Sequence, residues 1–362
     1  MGKKILFFIN RLFGGGGAGK MLKYVSSLCA ENGYNVSIAV LYNNNEKYDG
    51  LNEKIKVIDV GIKNKGVVSR GVSLFRIRKI VYLYNPDIVC SFNSDVAFSV
   101  RLATLGIKNV LFCAAERSDP YIVNKIWKIL YKWTYKYTNY CFFQLEGAMH
   151  FYMPNAKDKS YIIPNPYLGE NNKCFHNINS NLIVSLGRLE KQKGYDILIK
   201  SFYYVHQKYA QYQLFIYGEG PQRSELESLI KELGLEKTVF LSGFIKEPSQ
   251  ILKKSFLYVL SSQYEGMPNA LIEAMALGIP TISTDCTPGG PAFLTNNGKR
   301  GLLVKKNDVN ELSESIVYLI ENKEFAHNLG KKGTEIAELL NPKRIDTLWL
   351  NAFHDIIDKN NL

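Results

Sequence analysis

Short apolar runs alternate with helix-like segments along most of the chain, and this alternation limits the fold more than any other feature. In the first half, amphipathic segments such as 18–31 and 72–84 separate runs rich in aliphatic and aromatic residues. Strands that alternate with helices favour a parallel sheet wrapped by helices. The strands predicted in this half are 4–9, 36–41, 55–60, 87–91, 110–114, 140–144 and 161–163.

The same alternation restarts after a polar segment that contains Pro, Asn and Gly. A chain of 362 residues also exceeds what one hydrophobic core usually serves. We predict domains over 1–165 and 181–341, a linker over 166–180, and a last helix over 342–362 that crosses back to the first domain. The predicted fold is α/β, with two doubly wound, Rossmann-like domains that face each other across a cleft. Strands of the second domain are predicted at 182–186, 212–217, 239–241, 256–260 and 279–283.

The segment 256–283 reads as strand, loop, helix and strand. Such a loop lies at the carboxyl edge of a parallel sheet, where open α/β folds bind ligands. The helix, predicted over 269–277 with Asn269 as its cap, presents free N–H groups that favour an anion such as phosphate. Glu265 and Glu273 bracket this anion site. They are either ordinary polar residues or ligand contacts, and the apolar neighbours of Glu273 favour the second interpretation.

Residues 265–284, EGMPNALIEAMALGIPTIST, resemble the donor-site signature of retaining glycosyltransferases of family 4, which have the GT-B fold. In that family the second glutamate holds the ribose of the nucleotide-sugar donor, and the first lies at the sugar and phosphate. The resemblance therefore implies that Glu273 binds the donor and that Glu265 is catalytic. It also implies donor contacts from four residues of the same stretch, namely Pro268, Asn269, Ala270 and Leu271.

Two turns that follow other strands of the second domain match the same family. Arg188 and Lys193 follow the first strand, and the resemblance implies that they hold the donor diphosphate and act in catalysis. The chemistry agrees, because a departing nucleoside diphosphate develops negative charge that fixed cations stabilise. Gly218 and Glu219 lie in a Gly-x-Gly-Pro turn after the next strand, and both are implied donor contacts.

The glycine-rich segment 14–20 fits the spacing of nucleotide-hydrolase phosphate loops, but Met21 stands where Ser or Thr would hold Mg²⁺. Glycines let backbone N–H groups approach a ligand closely. The GT-B resemblance implies such donor contacts at Gly16 and Gly17. A nucleotide hydrolase, with Lys20 as the residue to test, and a mere flexible turn stay as alternatives.

The segment after the strand at 110–114 is predicted to serve the acceptor. Some family members place a histidine near the acceptor where Arg117 stands. An arginine stays protonated and cannot act as a base, but it can bind a phosphate bidentately. We predict that Glu116 and Arg117 contact the acceptor or the donor phosphate.

The net charge of +12 falls entirely on the first half of the chain. Residues 1–175 carry 24 Lys and Arg against 12 Asp and Glu, whereas residues 176–362 carry 21 against 21. Basic helices with interleaved aromatic residues suit an anionic membrane surface, although a solvated surface helix is the alternative. No nucleic-acid motif accompanies the charge. The basic residues at helical spacing are Lys125, Lys128, Lys132 and Lys136, with a second patch of Arg70, Arg76, Arg78 and Lys79.

No metal and no cofactor are expected, since the five histidines are scattered without ligand spacing and no Asp-x-Asp occurs. The six cysteines form no C-x-x-C pair and indicate the reduced core thiols of a cytosolic protein. We therefore expect a cytoplasmic protein that lies peripherally on the inner face of the cell membrane.

The resemblance implies a metal-independent, retaining transferase of a hexose or N-acetylhexosamine. Its donor is expected to be a nucleotide-sugar, namely a UDP-sugar. Its acceptor is expected to be a lipid-linked saccharide in bacterial capsule or surface polysaccharide synthesis. A nucleotide-sugar epimerase of GT-B fold, a phosphate-loop NTPase and a non-enzymatic, donor-binding regulator stay open as alternatives.

Overall fold

The structure, a computed structural model, describes residues 2–12, 17–42, 50–62, 67–117, 119–154, 157–169 and 177–361, without the side chains of 67–70 and 157. The chain divides into two compact units. The first unit comprises residues 1–165 with 343–362, and the second unit comprises residues 166–342. Each unit is built on one parallel sheet with helices, which confirms the predicted class of two Rossmann-like α/β domains.

The sheet of the first unit has seven parallel strands in the order β3-β2-β1-β4-β5-β6-β7. The register places Phe7 opposite Ile38 on one side and Cys90 on the other. The strands are β1 (Lys4–Ile9), β2 (Asn35–Val40), β3 (Lys56–Asp59), β4 (Ile88–Phe92), β5 (Leu111–Glu116), β6 (Tyr140–Phe143) and β7 (Ser160–Ile162). The helices are α1 (Gly17–Glu31), α2 (Val67–Tyr84), α3 (Ser94–Ala103), α4 (Lys125–Lys136) and α5 (Glu146–Tyr152).

The central strand β1 is buried on both faces, as a strand between two helix layers must be. Its side chains alternate between the faces because successive strand residues point in opposite directions. Phe7 packs into a core with α1, whereas Leu6 and Phe8 pack into a core with α2 and α3. The near-continuous apolar run at 5–9 follows from this double burial.

The second unit carries a six-stranded parallel sheet in the order β10-β9-β8-β11-β12-β13. Its strands are β8 (Leu182–Leu186), β9 (Gln213–Tyr217), β10 (Val239–Leu241), β11 (Leu257–Leu260), β12 (Thr281–Asp285) and β13 (Leu302–Lys305). Its helices are α6 (Tyr195–Lys208), α7 (Arg223–Glu232), α8 (Pro248–Leu252), α9 (Asn269–Ala276), α10 (Gly290–Thr295), α11 (Val309–Glu321), α12 (Lys323–Gly333) and α13 (Glu335–Leu339).

The last helix, α14 (Pro342–Lys359), packs into the core of the first unit. Trp349 is fully buried, and its ring lies 4.8 Å from that of Phe142 and 6.0 Å from that of Phe353. Polar contacts flank this core, since the Tyr24 and Tyr161 hydroxyls donate to carboxylates of α14. The helix therefore completes a hydrophobic core that the first 165 residues begin.

Five cysteines of the described ranges are buried free thiols, namely Cys29, Cys90, Cys113, Cys141 and Cys286, whereas Cys174 lies outside these ranges. Within the described ranges, no helix combines the length and the apolar character needed to cross a bilayer.

Candidate functional site

The predicted donor residues of the second unit gather at one edge of its sheet, where the segments after β8, β9 and β11 begin. Direct backbone contact joins two of these segments. The N–H of Gly218 donates at 2.8 Å to the carbonyl of Gly243, which follows β10. Between the segments after β8 and β9, a Cβ on Gly218 would lie 1.9 Å from the Gly187 carbonyl oxygen. Only glycine permits that approach. The turn after β9 is therefore pressed against the segment that carries Arg188 and Lys193.

The segment after β12 is pressed against the loop that carries Glu265. A Cβ on Gly290 would lie 1.8 Å from the Gly266 carbonyl oxygen. The N–H of Glu265 donates to the Thr287 carbonyl at 3.0 Å. These two contacts fix the backbone on both sides of the Glu265 side chain.

Lys193 and Glu265 form a nearly buried ion pair at this edge. The Lys193 Nζ lies 2.5 Å from Glu265 Oε1, and the two side chains are 17% and 9% exposed. The hydroxyl of Ser262 donates to the same carboxylate oxygen at 2.8 Å, and that of Ser261 donates to the Lys193 carbonyl at 2.8 Å. A buried ion pair needs such additional hydrogen bonds to offset its desolvation. The carboxylate and the ammonium are therefore held in fixed positions.

Arg188 and Glu219, by contrast, lie at the surface. The Arg188 side chain is 70% exposed and pairs with Glu190 at 2.8 Å. Glu219 pairs with Arg223 through both oxygens, at 2.6 and 2.8 Å, and these hydrogen bonds lower the pKa of its carboxyl group. Exposed ion pairs contribute little stability. Arg188 can therefore exchange Glu190 for an incoming anion at small cost, whereas Lys193 already has a buried partner.

Helix α9 presents one partly exposed face to this edge. Asn269, Ala270 and Glu273 are partly exposed. Asn269 and Ala270 share that face with Glu273, because they precede it by four and three residues. Asn269 is the first helical residue and Pro268 precedes it as the cap, so the predicted cap position is shifted by one. The Leu271 side chain is fully buried, and the Leu271 N–H donates to the Pro268 carbonyl. Its contact with the donor stays a prediction.

Of the predicted glycine loop, residues 14–20, the structure describes only residues 17–20. Gly16 lies outside the described residues, and Gly17 is the exposed first residue of α1. Lys20 is exposed, but Met21 is 5% exposed and packs in the core of the first unit. Met21 thus serves packing at the position where a nucleotide hydrolase needs a hydroxyl.

Glu116 lies at the end of β5 and is almost fully buried. Its Oε2 accepts hydrogen bonds from the Ser94 hydroxyl, from Tyr135 at 3.3 Å and from Tyr152 at 3.1 Å, and its Oε1 accepts from the Arg117 N–H at 2.8 Å. Burial and the Glu116 carboxylate raise the pKa of both tyrosines, so both hydroxyls stay protonated and can donate. The Glu116 oxygens therefore join β5 to α3, α4 and α5, and the contact of Glu116 with a ligand stays a prediction.

Arg117 follows Glu116 and points to the opposite face of the sheet. Its guanidinium carbon lies 5.4 Å from the centre of the Phe92 ring and 5.1 Å from that of the Trp349 ring. All three guanidinium nitrogens are buried, and none has a hydrogen-bond partner within the described part of the chain. Of the two acceptor-side candidates, Arg117 is therefore the one whose side-chain donors no described residue occupies.

Helix α4 combines lysines with an exposed apolar row. Asn124 caps the helix by accepting from the Trp127 N–H at 3.1 Å. Ile122, Ile126 and Ile129 are 48%, 70% and 68% exposed. Lys132 is exposed beside this row, and its Nζ lies over the ring of Phe151. Ile126, Ile129 and Lys132 recur at helical spacing and give α4 a basic and apolar outer surface, and Ile122 extends the apolar row just before the helix begins.

In the second predicted basic patch, some of the described side chains are bound to the protein itself, and only the rest could bind lipid headgroups. Arg76 donates to the carbonyls of Val60 and Gly61, and Arg78 donates to those of Ala103 and Leu105. Lys79 is exposed, and the side chain of Arg70 lies outside the described residues. The patch is therefore corrected: two of its arginines bind backbone carbonyls, because these groups are left without partners at the end of β3 and of α3.

Several residues of these two sites were absent from the sequence-based prediction. Ser262 could have been found from the sequence, because it lies three residues before Glu265. Ser and Glu side chains at this spacing often form local hydrogen bonds in turns and at helix starts. No local signal marks the other four, which reach Glu116 or Arg117 only because the fold brings together residues 19 to 232 positions apart in the chain. They are Ser94, Tyr135, Tyr152 and Trp349.

The sequence matches the family model for glycosyl transferases group 1 over residues 170–336. An uncharacterised glycosyltransferase of Methanocaldococcus jannaschii is 30% identical over 76% of this chain and 81% of that protein. A Campylobacter jejuni enzyme named GalNAc-alpha-(1->4)-GalNAc-alpha-(1->3)-diNAcBac-PP-undecaprenol alpha-1,4-N-acetyl-D-galactosaminyltransferase is 24% identical over 98% of this chain and 99% of that enzyme. The solved structure of Anabaena HepE with UDP and glucose aligns with a TM-score of 0.80 and 17% identity, over 98% of this chain and 100% of that one.

Proposed function

The chain belongs to the group 1 glycosyltransferases, and from this premise we propose that it is a metal-independent, retaining enzyme of family 4. It transfers a hexose or N-acetylhexosamine from a UDP-sugar to a lipid-linked saccharide in surface polysaccharide synthesis. The name of the Campylobacter relative supports the acceptor class, because its acceptor is linked to undecaprenol through PP. The UDP and glucose bound by HepE support the donor class.

The observation that carries the proposal is the fixed pair of Lys193 and Glu265 beside the start of α9. Sugar transfer develops positive charge on the sugar and negative charge on the departing diphosphate. The Glu265 carboxylate stabilises the first of these charges. The Lys193 ammonium, the exposed Arg188 and the N-terminus of α9 stabilise the second. Fixed cations in these positions do the work that a divalent metal does in other transferases.

The proposal is tested with the full chain, a panel of UDP-sugars and a prenyl-diphosphate-linked saccharide. We expect acceptor-dependent release of UDP, retention at the anomeric carbon by nuclear magnetic resonance, and unchanged turnover in EDTA. Conversion of the donor sugar without acceptor would instead identify an epimerase. Activity that EDTA abolishes and Mg²⁺ restores would contradict metal independence.

Replacing Glu273 should weaken donor binding. The Glu273 carboxylate lies on the partly exposed face of α9, where the resemblance places the ribose. We expect Glu273→Ala to weaken UDP binding by about 1–3 kcal/mol, measured by titration calorimetry, because ribose hydroxyls are left without an acceptor. Glu314→Ala, on the second unit's α11, is the control. Equal UDP affinity in all three proteins would contradict the ribose assignment.

We also propose that the first unit binds an anionic membrane peripherally through α4. The helix supplies lysines for the lipid headgroups and the isoleucine row for the apolar boundary beneath them. Helix α3 packs against both α2 and α4, and α2 exposes further apolar residues, Phe75 and Leu83, at 70% each. The excess of basic residues in the first half of the chain also supports membrane binding through the first unit.

Sedimentation with anionic vesicles separates the two contributions. Replacing Lys125, Lys128, Lys132 and Lys136 by Gln should remove about 1 kcal/mol per lysine and most of the salt dependence. Replacing Ile126 and Ile129 by Ser should instead lower the binding that persists in high salt. The matched control changes four exposed lysines of the second unit, Lys231, Lys237, Lys331 and Lys332. A lysine variant of α4 that sediments like this control would refute the membrane proposal.

A further inference from the structure

Arg117 is a buried cation whose hydrogen-bonding capacity is unused. The guanidinium carbon lies 5.4 Å from the centre of the Phe92 ring and 5.1 Å from that of the Trp349 ring, beside the stack that these two rings form. Its three nitrogens have no partner among the described residues. The indole nitrogen of Trp349, Nε1, is also buried, and it too has no hydrogen-bond partner among the described residues. Two neighbouring side chains therefore hold N–H donors that no described residue satisfies.

Among the described residues, no anion forms a hydrogen bond or an ion pair with the Arg117 guanidinium, although the Glu116 carboxylate is near enough to favour its charged form. Burial lowers the pKa of Arg117 to about 10, so the side chain is charged at neutral pH. Burial raises the pKa of the nearby Cys90 thiol and of the Tyr135 hydroxyl, and both are neutral. The Glu116 carboxylate accepts from three hydroxyls on the other face of the sheet and from the Arg117 backbone. Ring contacts stabilise a cation but do not satisfy its N–H groups.

The position of Arg117 is that of a ligand site. It follows the carboxyl end of β5, and Phe92 ends the adjacent strand β4. The strand order reverses between β1 and β4, and open α/β sheets bind ligands at the carboxyl ends beside such a reversal. A planar guanidinium matches a phosphate with two parallel hydrogen bonds. Glu116 acts as a positioning residue, because its carboxylate fixes the Arg117 backbone.

We propose that Arg117 and Trp349 Nε1 form a phosphate-binding site in the first unit, which takes the diphosphate of the lipid-linked acceptor. The choice of the acceptor rests on the proposed function. The phosphate chemistry does not, because it follows from the unsatisfied guanidinium. The acceptor diphosphate, the donor diphosphate and free phosphate share this chemistry, so the experiment must separate these sources.

Titration calorimetry with farnesyl diphosphate, UDP and inorganic phosphate makes that separation without sugar transfer. We expect Arg117→Met to weaken farnesyl diphosphate binding at least tenfold and to leave UDP binding unchanged. Arg188→Met, in the second unit, should weaken UDP binding and leave farnesyl diphosphate binding unchanged. If Arg117→Met weakens UDP instead, or only inorganic phosphate, the assignment to the acceptor is wrong. Parental affinity for all three anions would overturn the site itself.

Thermal unfolding supplies a readout that a purely structural arginine would not give. Methionine fills a similar volume without a buried charge, so Arg117→Met should unfold at a higher temperature than the parent when no ligand is present. Farnesyl diphosphate should raise the melting temperature of the parent and not that of the variant. A variant that melts at a lower temperature and still binds farnesyl diphosphate would show that Arg117 only supports the rings. The calorimetric and thermal measurements contain no donor sugar. They therefore test the phosphate site even if the protein fails to transfer sugar.

Discussion

Glu265→Gln is expected to lower the turnover of sugar transfer by a factor of about 100 to 1,000 and to leave UDP affinity nearly unchanged. The amide oxygen of Gln can still accept from Lys193 and Ser262, which lie 2.5 and 2.8 Å from the carboxylate oxygen, so the geometry persists. What disappears is the negative charge that the transition state needs. The expected loss is therefore in the chemical step and not in donor binding.

The measurement is initial-rate kinetics with saturating acceptor, together with calorimetric titration of UDP. Glu190→Gln is the matched control, because Glu190 also pairs with a cation of the donor segment but at the surface. It should change turnover by less than a factor of about three, since exposed ion pairs contribute little. Equal turnover in the Glu265 and Glu190 variants would remove Glu265 from the mechanism.

Trp349→Ala is expected to lower the free energy of unfolding of the first unit by about 3–5 kcal/mol. The fully buried indole packs against Phe92, Phe142 and Phe353, and its removal leaves a cavity that the surrounding sheet cannot fill. The neighbouring Leu348→Ala is the control, because Leu348 is 37% exposed and contributes far less packing.

Urea unfolding followed by tryptophan fluorescence reports on this unit alone. The three tryptophans of the chain all belong to the first unit, and Trp127 and Trp133 remain as probes when Trp349 is replaced. The second unit can be followed separately by bound UDP, whose affinity should not change. Identical urea midpoints for the Trp349 and Leu348 variants would show that α14 does not stabilise the first unit.

Much of the fold could be predicted from sequence, because buried parallel strands appear as short apolar runs. The strand 182–186 has the predicted bounds, whereas the strand predicted from 279 begins at Thr281. Pro280 has no N–H to donate to a ladder, so the apolar run and the hydrogen-bonded strand differ there. No element was predicted between 292 and 341, where β13 is four residues long and partly exposed.

The site was less predictable, because side-chain partners depend on tertiary structure. The resemblance names Lys193 and Glu265 separately, but their pairing joins residues 72 apart in the chain. Glu116 and Arg117 were both predicted to contact the acceptor or the donor phosphate. Adjacent strand residues point to opposite faces, however, so one enters a hydroxyl cluster and the other a pair of aromatic rings. The membership in the group 1 glycosyltransferases is confirmed, and retention and the donor sugar stay predictions.

The return of the last helix to the first unit has a consequence for biosynthesis. Residues 1–165 emerge first from the ribosome, but the residues that complete their core begin at 343. The intervening 177 residues take about 10–35 s to translate at about 5–20 residues per second. During that interval the apolar face that later contacts Trp349 is uncovered on the nascent chain, while the second unit can already fold. We therefore expect the unit encoded first to mature last, and ribosome-bound chains that end before residue 343 to be the form that needs chaperones.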